Sequence, residues 1–319
     1  MAGVTRESPE DKVPIVRREE MGNYIVLQCY GNESIFHECA YALLSLSRLY
    51  TPGELENTEI WIYTDNPGWF GSFKDCWLPL HFRTVDDNTI KQWKGDINFV
   101  HRVKIEVLKD LVKNKTGNIL YLDCDIVITH SIEQIFKNIN AGQLYMHVRE
   151  GLISDRGNIV FEKLHDHYKG KPSLKIKDKP VHEFAMWNAG VLGFNTSYSN
   201  LLDEVLAFTD TEYPAFPKHV IEQFAFSIYF QQAGLVKAAA PYIFHYWNLK
   251  EARTVLASFF THFKSSSWDE LTRYSALVQI HALMQDKVNF YRNRGVLGSM
   301  LSKKWLPEKQ DWDELLKQF

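Results

Sequence analysis

Short apolar segments alternate with amphipathic helical patterns along the first half of the chain. Strands are predicted at Tyr24–Cys29, Glu59–Thr64 and Ile119–Val127, and helices at Ser34–Tyr50 and Val100–Val112. Because these strands are almost continuously apolar, we expect an α/β fold with a mainly parallel sheet covered by helices on both faces. Ligands bind beyond the carboxyl ends of the strands in such sheets, so polar residues at those ends are candidate functional residues.

The second half of the chain has a less regular pattern. It predicts strands at Leu144–Val148, Gly190–Phe194, Leu235–Ala239 and Ile243–Trp247, and helices at Ser199–Thr209 and Lys218–Ala233. A lysine-rich segment, 151–183, is predicted to be a mobile loop or insertion. We therefore expect a flexible tail over 1–20, a main domain over 21–250 and a helical C-terminal extension over 251–319.

Composition and charge exclude several classes of protein. The 319 residues are 45% hydrophobic and 24% charged, which is typical of a globular chain. The net charge of -3 provides no general basic surface, so no nucleic-acid partner is expected. The chain begins without a signal-peptide pattern and its four cysteines have no metal-like spacing, so we expect a cytoplasmic protein. Segment 292–306 mixes cations with apolar residues and could contact a membrane surface peripherally, although packing against the domain is the favoured interpretation.

A pair of aspartates, Asp123 and Asp125, ends the strongest predicted strand. Side chains of a strand alternate, so both carboxylates would lie on one face. Two carboxylates after an apolar run are costly to bury without a cation, and oxygen ligands suit Mg²⁺ or Mn²⁺. A second Asp-x-Asp, at Asp311 and Asp313, lies in a polar helical pattern, where a solvated helix face is the favoured interpretation. We therefore predict the metal site at the first pair.

Six sequence blocks follow one another in a particular order. They are Asn98–Leu108, Ile119–Ile128, Ile132–Phe136, Trp187–Asn195, Ile221–Phe224 and His245–Lys250. Together they resemble the GT-A glycosyltransferases, and most closely glycosyltransferase family 8 and the glycogenin-like enzymes. The resemblance extends over roughly residues 24–250, and it implies a Rossmann-like GT-A catalytic domain there, with 151–183 as a variable segment on the acceptor side.

The resemblance also implies roles for individual residues. Asp123, Asp125 and His245 would hold Mn²⁺ or Mg²⁺ on the diphosphate of the donor. The remaining donor-binding residues would be Gln28, Tyr30 and Asp65 at the nucleoside, Arg102, Lys104 and Lys250 at the phosphates or sugar, and Ala189 and Gly190 at the sugar. Asn188, Glu222 and Gln223 would be the catalytic candidates, beside the reacting carbon of the sugar.

The function that the resemblance implies is a metal-dependent hexosyltransferase. It would move a sugar from a nucleoside diphosphate, with UDP favoured, to an acceptor hydroxyl, with retention of configuration. The acceptor is left open among a glycan, a lipid-linked molecule and a protein.

Other interpretations of the same residues remain open. Glu222 stands where the family has Asp, and Lys250 follows His245 by one residue fewer than usual, so a non-catalytic nucleotide-sugar-binding protein is the main alternative. A haloacid-dehalogenase-like phosphatase is disfavoured, because the chain lacks the later Gly-Asp-x-x-x-Asp that it needs. Arg102 could instead pair with Glu106 one helical turn away. Asp65 could instead stabilise the turn in which it lies.

Overall fold

The structure is a computed structural model that describes residues 21–73, 75–171, 174–293 and 304–319. The tail predicted over 1–20 lies outside the described residues. The strands are β1 (Gly22–Cys29), β2 (Thr58–Thr64), β3 (Leu80–Thr84), β4 (Gly117–Leu122), β5 (Ile126–Ile128), β6 (Leu144–Met146), β7 (Arg149–Leu152), β8 (Lys175–Ile176), β9 (Lys179–Pro180), β10 (Ala185–Trp187), β11 (Val191–Asn195), β12 (Val236–Ala238) and β13 (Ile243–His245). The helices are α1 (Glu33–Ser47), α2 (Asp87–Trp93), α3 (Arg102–Val112), α4 (Glu133–Asn140), α5 (Ile159–Lys169), α6 (Leu201–Glu212), α7 (Val220–Ala233), α8 (Ala252–His262), α9 (Trp268–Tyr274), α10 (Ile280–Arg292) and α11 (Trp312–Gln318).

A seven-stranded sheet forms the centre of the fold, in the order β12-β6-β11-β4-β1-β2-β3. Its pairs are parallel except those of β11, which runs antiparallel to β4 and β6. Alternate residues of β1 face two separate cores: Ile25 and Leu27 pack on the side of α1, whereas Tyr24 and Val26 pack on the side of α3, α6 and α7. The predicted mixed, mainly parallel sheet between helices is therefore confirmed.

The strand predicted over Ile119–Val127 is interrupted, which corrects the sequence-based account of the aspartates. β4 ends at Leu122 and β5 begins at Ile126, so Asp123 and Asp125 lie in the connection between two strands. The chain leaves the central sheet here because β5 pairs with β13 instead. Backbone hydrogen bonds hold the connection: the Asp123 N–H donates to the Gly190 carbonyl at 2.8 Å, and the Tyr246 N–H donates to the Asp125 carbonyl at 3.0 Å.

Segment 151–183 was expected to be a mobile loop or an insertion, and the loop alternative is wrong for its described part. It contains α5 and the two-stranded β8–β9 hairpin. The Asn158 side chain caps α5 by accepting from two backbone N–H groups, and Phe161, Leu164 and Tyr168 bury one face of the helix. The lysines of the segment obscured this apolar stripe because they lie mainly on its exposed side. Its role on the acceptor side stays a prediction.

The C-terminal extension packs against the α1 side of the sheet. The Tyr41 hydroxyl of α1 donates to the Val278 carbonyl at 2.7 Å, and the buried Trp268 indole donates to Ser47 at 3.1 Å. Most of segment 292–306, for which membrane contact was considered, lies outside the described residues. Within the described part of the chain, no helix is long and apolar enough to cross a membrane.

Candidate active site

A cavity of about 910 Å³ opens beyond the carboxyl end of β4, between α5, α7 and the loop after β13. Ten of the residues predicted from the sequence line it: Lys104, Asp123, Asp125, Asn188, Ala189, Gly190, Glu222, Gln223, His245 and Lys250. Four predicted residues, Gln28, Tyr30, Asp65 and Arg102, lie outside it. The cavity therefore brings together parts of the chain that are more than 100 residues apart in sequence.

Two aspartates and a histidine converge at this cavity. Ligand atoms of Asp123, Asp125 and His245 all lie within 4.8 Å of one another. The His245 Nε2 atom is 3.1 Å from Asp125 Oδ1 and 3.8 Å from Asp123 Oδ2. Asp125 and His245 are buried, whereas Asp123 is partly exposed. Two carboxylates and one imidazole in this arrangement form a set of candidate ligands for a divalent cation.

Asn188 and Gly190 fix the imidazole of His245. The Asn188 Oδ1 atom accepts a hydrogen bond from His245 Nδ1 at 2.9 Å, which leaves Nε2 facing the aspartates. Gly190 lies directly against the ring, because a Cβ at position 190 would come within 2.2 Å of the imidazole. The small residue predicted at the sugar pocket is therefore also required by the position of His245.

Lys250 lies at the open side of the site and pairs with Asp125. Its Nζ donates to Asp125 Oδ2 at 2.7 Å, while 55% of the lysine side chain remains exposed. Burial alone would raise the pKa of Asp125, but the hydrogen bond and charge of His245, together with Lys250, hold that pKa well below its usual value. Asp125 is therefore an ionised carboxylate that attracts cations.

Lys104 is a buried cation shared by two carboxylates. Its Nζ lies 3.3 Å from Asp123 Oδ1 and 3.4 Å from Glu222 Oε1, and it donates to the Ala189 carbonyl at 3.0 Å. Burial, helped by the charge of Asp123, raises the pKa of Glu222 to about 7, while Lys104 opposes that rise. Burial acts to lower the pKa of Lys104, but the two carboxylates raise it above its usual value. Lys104 therefore remains charged beneath the cavity floor.

Glu150 is a cavity residue that the sequence reasoning missed. Its two carboxylate oxygens accept from the side-chain amides of Asn188, at 3.2 Å, and Gln223, at 2.9 Å. It thereby connects two of the catalytic candidates. The signal was available, because Glu150 follows the predicted strand Leu144–Val148 and polar residues at strand ends were the ones to examine.

The predicted nucleoside-binding residues lie at the neighbouring ends of β1 and β2. The Asp65 carboxylate accepts from the Gly31 N–H at 2.9 Å and so joins the two loops. The Gln28 side-chain oxygen is buried and has no hydrogen-bond partner among the described residues. Burial raises the pKa of Tyr30 to about 12, and the charge of Asp65 adds to the rise. Their role at the nucleoside stays a prediction.

Arg102 points away from the cavity and its guanidinium is already occupied. It makes two hydrogen bonds to Asp210, at 2.7 Å and 3.1 Å, and one to Glu106 at 2.8 Å. A fourth bond, at 2.7 Å, reaches the Trp93 carbonyl. The pairing with Glu106 that the sequence left open is therefore present, and this arrangement gives the proposed contact with the donor no support.

Three cysteines form a cluster beneath the aspartates, although their spacing in sequence did not indicate one. The thiols of Cys29, Cys39 and Cys124 lie within 4.8 Å of one another. Burial raises the pKa values of Cys29 and Cys39 well above the ordinary thiol value, so both remain neutral. The cluster therefore packs as small apolar groups within the core.

Comparison with known proteins confirms the resemblance to the glycosyltransferases for part of the chain. The model of glycosyl transferase family 8 matches residues 102–249, a little under half of the chain. The matched segment runs from the start of α3 to the loop after β13 and contains all three candidate metal ligands. No curated protein sequence matches the chain significantly.

Solved structures similar to the chain include three glycosyltransferases. GlyE of Streptococcus pneumoniae TIGR4 is 14% identical with a TM-score of 0.48, and the match covers 81% of this chain and 64% of GlyE. Mouse xyloside xylosyltransferase 1 is 15% identical with a TM-score of 0.46, over 68% of this chain and 84% of that protein. The galactosyltransferase LgtC, solved with donor and acceptor sugar analogs, is 12% identical with a TM-score of 0.46, over 78% of this chain and 95% of LgtC. The chain thus spans less than two thirds of the length of GlyE.

Proposed function

We propose that the protein transfers a sugar from a UDP-sugar to an acceptor hydroxyl in the presence of Mn²⁺ or Mg²⁺. The observation that carries this proposal is the convergence of Asp123, Asp125 and His245 at the edge of a cavity of about 910 Å³. The family match over residues 102–249 supports the class of reaction. UDP as the nucleotide and retention of configuration come from the family resemblance.

The three candidate ligands suit a small divalent cation. Their spacing within 4.8 Å is compatible with one ion about 2.0–2.6 Å from each atom. Asn188 directs the Nε2 atom of His245 toward the site, as partners of metal-binding histidines commonly do. When bound, the cation would neutralise negative charge on the diphosphate as it leaves the sugar.

The chain supplies its own charge beside this site. Lys250 lies within reach of Asp125 and is more than half exposed, so it can turn toward an entering phosphate without leaving the cavity. A positive group placed where negative charge develops lowers the barrier of such a reaction. We therefore assign Lys250 to the diphosphate.

The sugar would lie over the backbone of Ala189 and Gly190, beside Asn188 and Gln223. Glu150 holds the amides of Asn188 and Gln223 at fixed positions, and Lys104 holds Glu222 below them. Transfer of a sugar develops positive charge at its reacting carbon, which oxygen atoms of amides and carboxylates stabilise. The Gln223 amide is the group that faces the cavity for this purpose, because the Asn188 oxygen already accepts from His245 and from the Gly190 N–H.

The test is thermal unfolding with UDP, GDP or ADP, each with and without MnCl₂. We expect UDP with Mn²⁺ to raise the unfolding temperature, and Asp125→Asn to remove that rise. The matched control is Asp313→Asn, which makes the same change in the second Asp-x-Asp and should keep the response. Equal responses of wild type and Asp125→Asn would contradict the metal site.

Enzymatic activity needs a second measurement. Release of UDP from a panel of UDP-sugars identifies the donor, and the same Asp125→Asn variant should abolish the release. Metal-dependent binding of UDP without release from any donor or transfer to any acceptor would instead favour the non-catalytic binding protein.

A further inference from the structure

We call the cavity of about 910 Å³ the catalytic cavity. A second pocket adjoins it, and we call this one the basic pocket. Its volume is about 450 Å³, and its charged lining residues are Arg149, Lys177 and Lys179. Trp187 contributes an aromatic ring, and Gln232 contributes an amide. None of the residues predicted from the sequence to bind donor or metal lines this pocket.

The basic pocket and the catalytic cavity share one wall, the pair of strands β7 and β10. Arg149 and Trp187 are opposite each other in this pair and line the basic pocket. Glu150, which lies at an irregularity in the pairing of the strands, and Asn188, which follows the end of β10, line the catalytic cavity. The wall therefore places Arg149 and Trp187 at the basic pocket and the residues that follow them in the chain at the catalytic cavity. A molecule that extends past the strand pair could therefore contact both.

The cations of the basic pocket have no acidic partner within the described part of the chain. Within the described residues, Arg149, Lys177 and Lys179 form no ion pair, and the pocket lining contains no Asp or Glu. Lys179 is instead positioned over the Phe184 ring, with its Nζ 4.4 Å from the centroid. Three cations around one concave surface repel one another, and an anion relieves that repulsion.

The pocket lining also contains a hydrogen-bond donor without a partner in the described part of the chain. The Gln232 Nε2 atom is buried and has no hydrogen-bond partner among the described residues. Lys177 reaches the pocket from the two-residue turn of the β8–β9 hairpin, in which Lys177 and Asp178 both have positive φ, of 46° and 67°. A buried donor without a partner is unfavourable unless a ligand or water accepts from it.

We propose that the basic pocket binds a phosphate group carried by a sugar of the acceptor. Arg149 offers the planar pair of donors that matches phosphate oxygens, and Lys177 and Lys179 add positive charge. Trp187 provides a flat apolar face on which a sugar ring can pack. The identification of the ligand as an acceptor rests on the proposed function. The phosphate site itself rests only on the residues that line the pocket.

The experiment uses the full chain, freed of metal with a chelating resin, and glucose 1-phosphate as the probe at low ionic strength. Binding is followed by ligand-observed proton NMR, with glucose as the neutral comparison. We expect glucose 1-phosphate to bind and glucose at the same concentration not to bind. Arg149→Gln/Lys179→Gln should weaken binding at least tenfold, whereas Lys163→Gln/Lys169→Gln, which removes two exposed cations of α5, should change it less than twofold.

The outcomes separate this inference from the proposed function. Asp125→Asn should lose the response to UDP with Mn²⁺ but keep metal-free binding of glucose 1-phosphate, and the basic-pocket variant should do the reverse. Equal binding by wild type and the basic-pocket variant, or an equal loss in the α5 control, would overturn the inference. A third outcome would also overturn the inference. The wild type, but not the basic-pocket variant, would sediment with phosphatidic acid vesicles, and glucose 1-phosphate would not bind. The ligand would then be a lipid headgroup and not a sugar phosphate.

Discussion

Ionisation of Glu222 is expected to make the protein less stable as the pH rises. The side chain is only 2% exposed, and burial raises its pKa to about 7 from the usual 4.5. The folded carboxyl therefore binds a proton more tightly than the unfolded one. Its stabilising contribution is complete below pH 4.5 and is lost as the pH rises through about 7.

The size of this effect follows from the two pKa values. At about 1.4 kcal/mol for each pH unit, the difference between 4.5 and about 7 corresponds to about 3 kcal/mol in the free energy of unfolding. Most of this difference falls between pH 5 and pH 8. Glu222→Gln cannot ionise, so its free energy of unfolding should fall by about that much less than the wild type's over the same range.

Urea unfolding in metal-free buffer measures the free energy of unfolding at pH 5 and at pH 8. The decrease between the two is compared for wild type and Glu222→Gln. Glu133→Gln, at the exposed start of α4, is the control for loss of one carboxylate and should stay within about 0.5 kcal/mol of the wild-type difference. If wild type and Glu222→Gln lose stability in parallel, the reasoning is refuted. Lys104 would then neutralise Glu222 completely, despite being shared with Asp123.

Three more substitutions test the positions of the metal ligands and of Lys250. Gly190→Ala should abolish the response to UDP with Mn²⁺ in thermal unfolding, because its Cβ would collide with the His245 ring. Asn188→Ala should weaken Mn²⁺ binding about 10- to 100-fold in a manganese titration, because His245 loses the partner that orients it. Lys287→Met should raise the KM for the donor several-fold, because the Lys287 ammonium donates to the Asn248 carbonyl at 2.6 Å and so anchors the loop before Lys250.

Matched variants control these three predictions. Gly71→Ala adds a Cβ that meets nothing within 4 Å and should leave UDP binding intact. Asn289→Ala removes an exposed amide from α10, and Lys317→Met removes an exposed cation from α11. A loss of Mn²⁺ binding in Asn289→Ala as large as in Asn188→Ala would contradict the role of the His245 partner. Donor KM values that agree between Lys287→Met and Lys317→Met would show that the anchor is dispensable.

Asp123 and Asp125 were found from sequence by an argument that was only partly right. The apolar run before them correctly indicated a strand that ends beside a ligand site. The two residues, however, belong to a connection between β4 and β5 and not to one continuous strand. Periodicity could not reveal this break, because the residues on both sides of it are equally apolar and buried. Pairing of β5 with the distant β13 decides where the chain leaves the sheet.

Arg102 and Glu150 show the same limit at single residues. The sequence offered two roles for Arg102, and its partner Asp210, 108 positions away, decides for the structural pairing. Glu150 belongs to the site only because the amides of Asn188 and Gln223, which come from other parts of the chain, donate to its carboxylate. Such side-chain networks depend on how loops pack, which local residue patterns do not encode.

The sequence by itself determined the class of sheet, the family blocks and the ends of strands where a site would form. These features follow from local periodicity and from residue types, which act over a few positions. The tertiary structure alone decided that Asn188 and Gly190 orient His245 beside the aspartates, that Lys104 serves two carboxylates, and that a basic pocket adjoins strands β7 and β10. Each of these depends on burial and on contacts between distant segments, and such contacts exist only after the chain has packed.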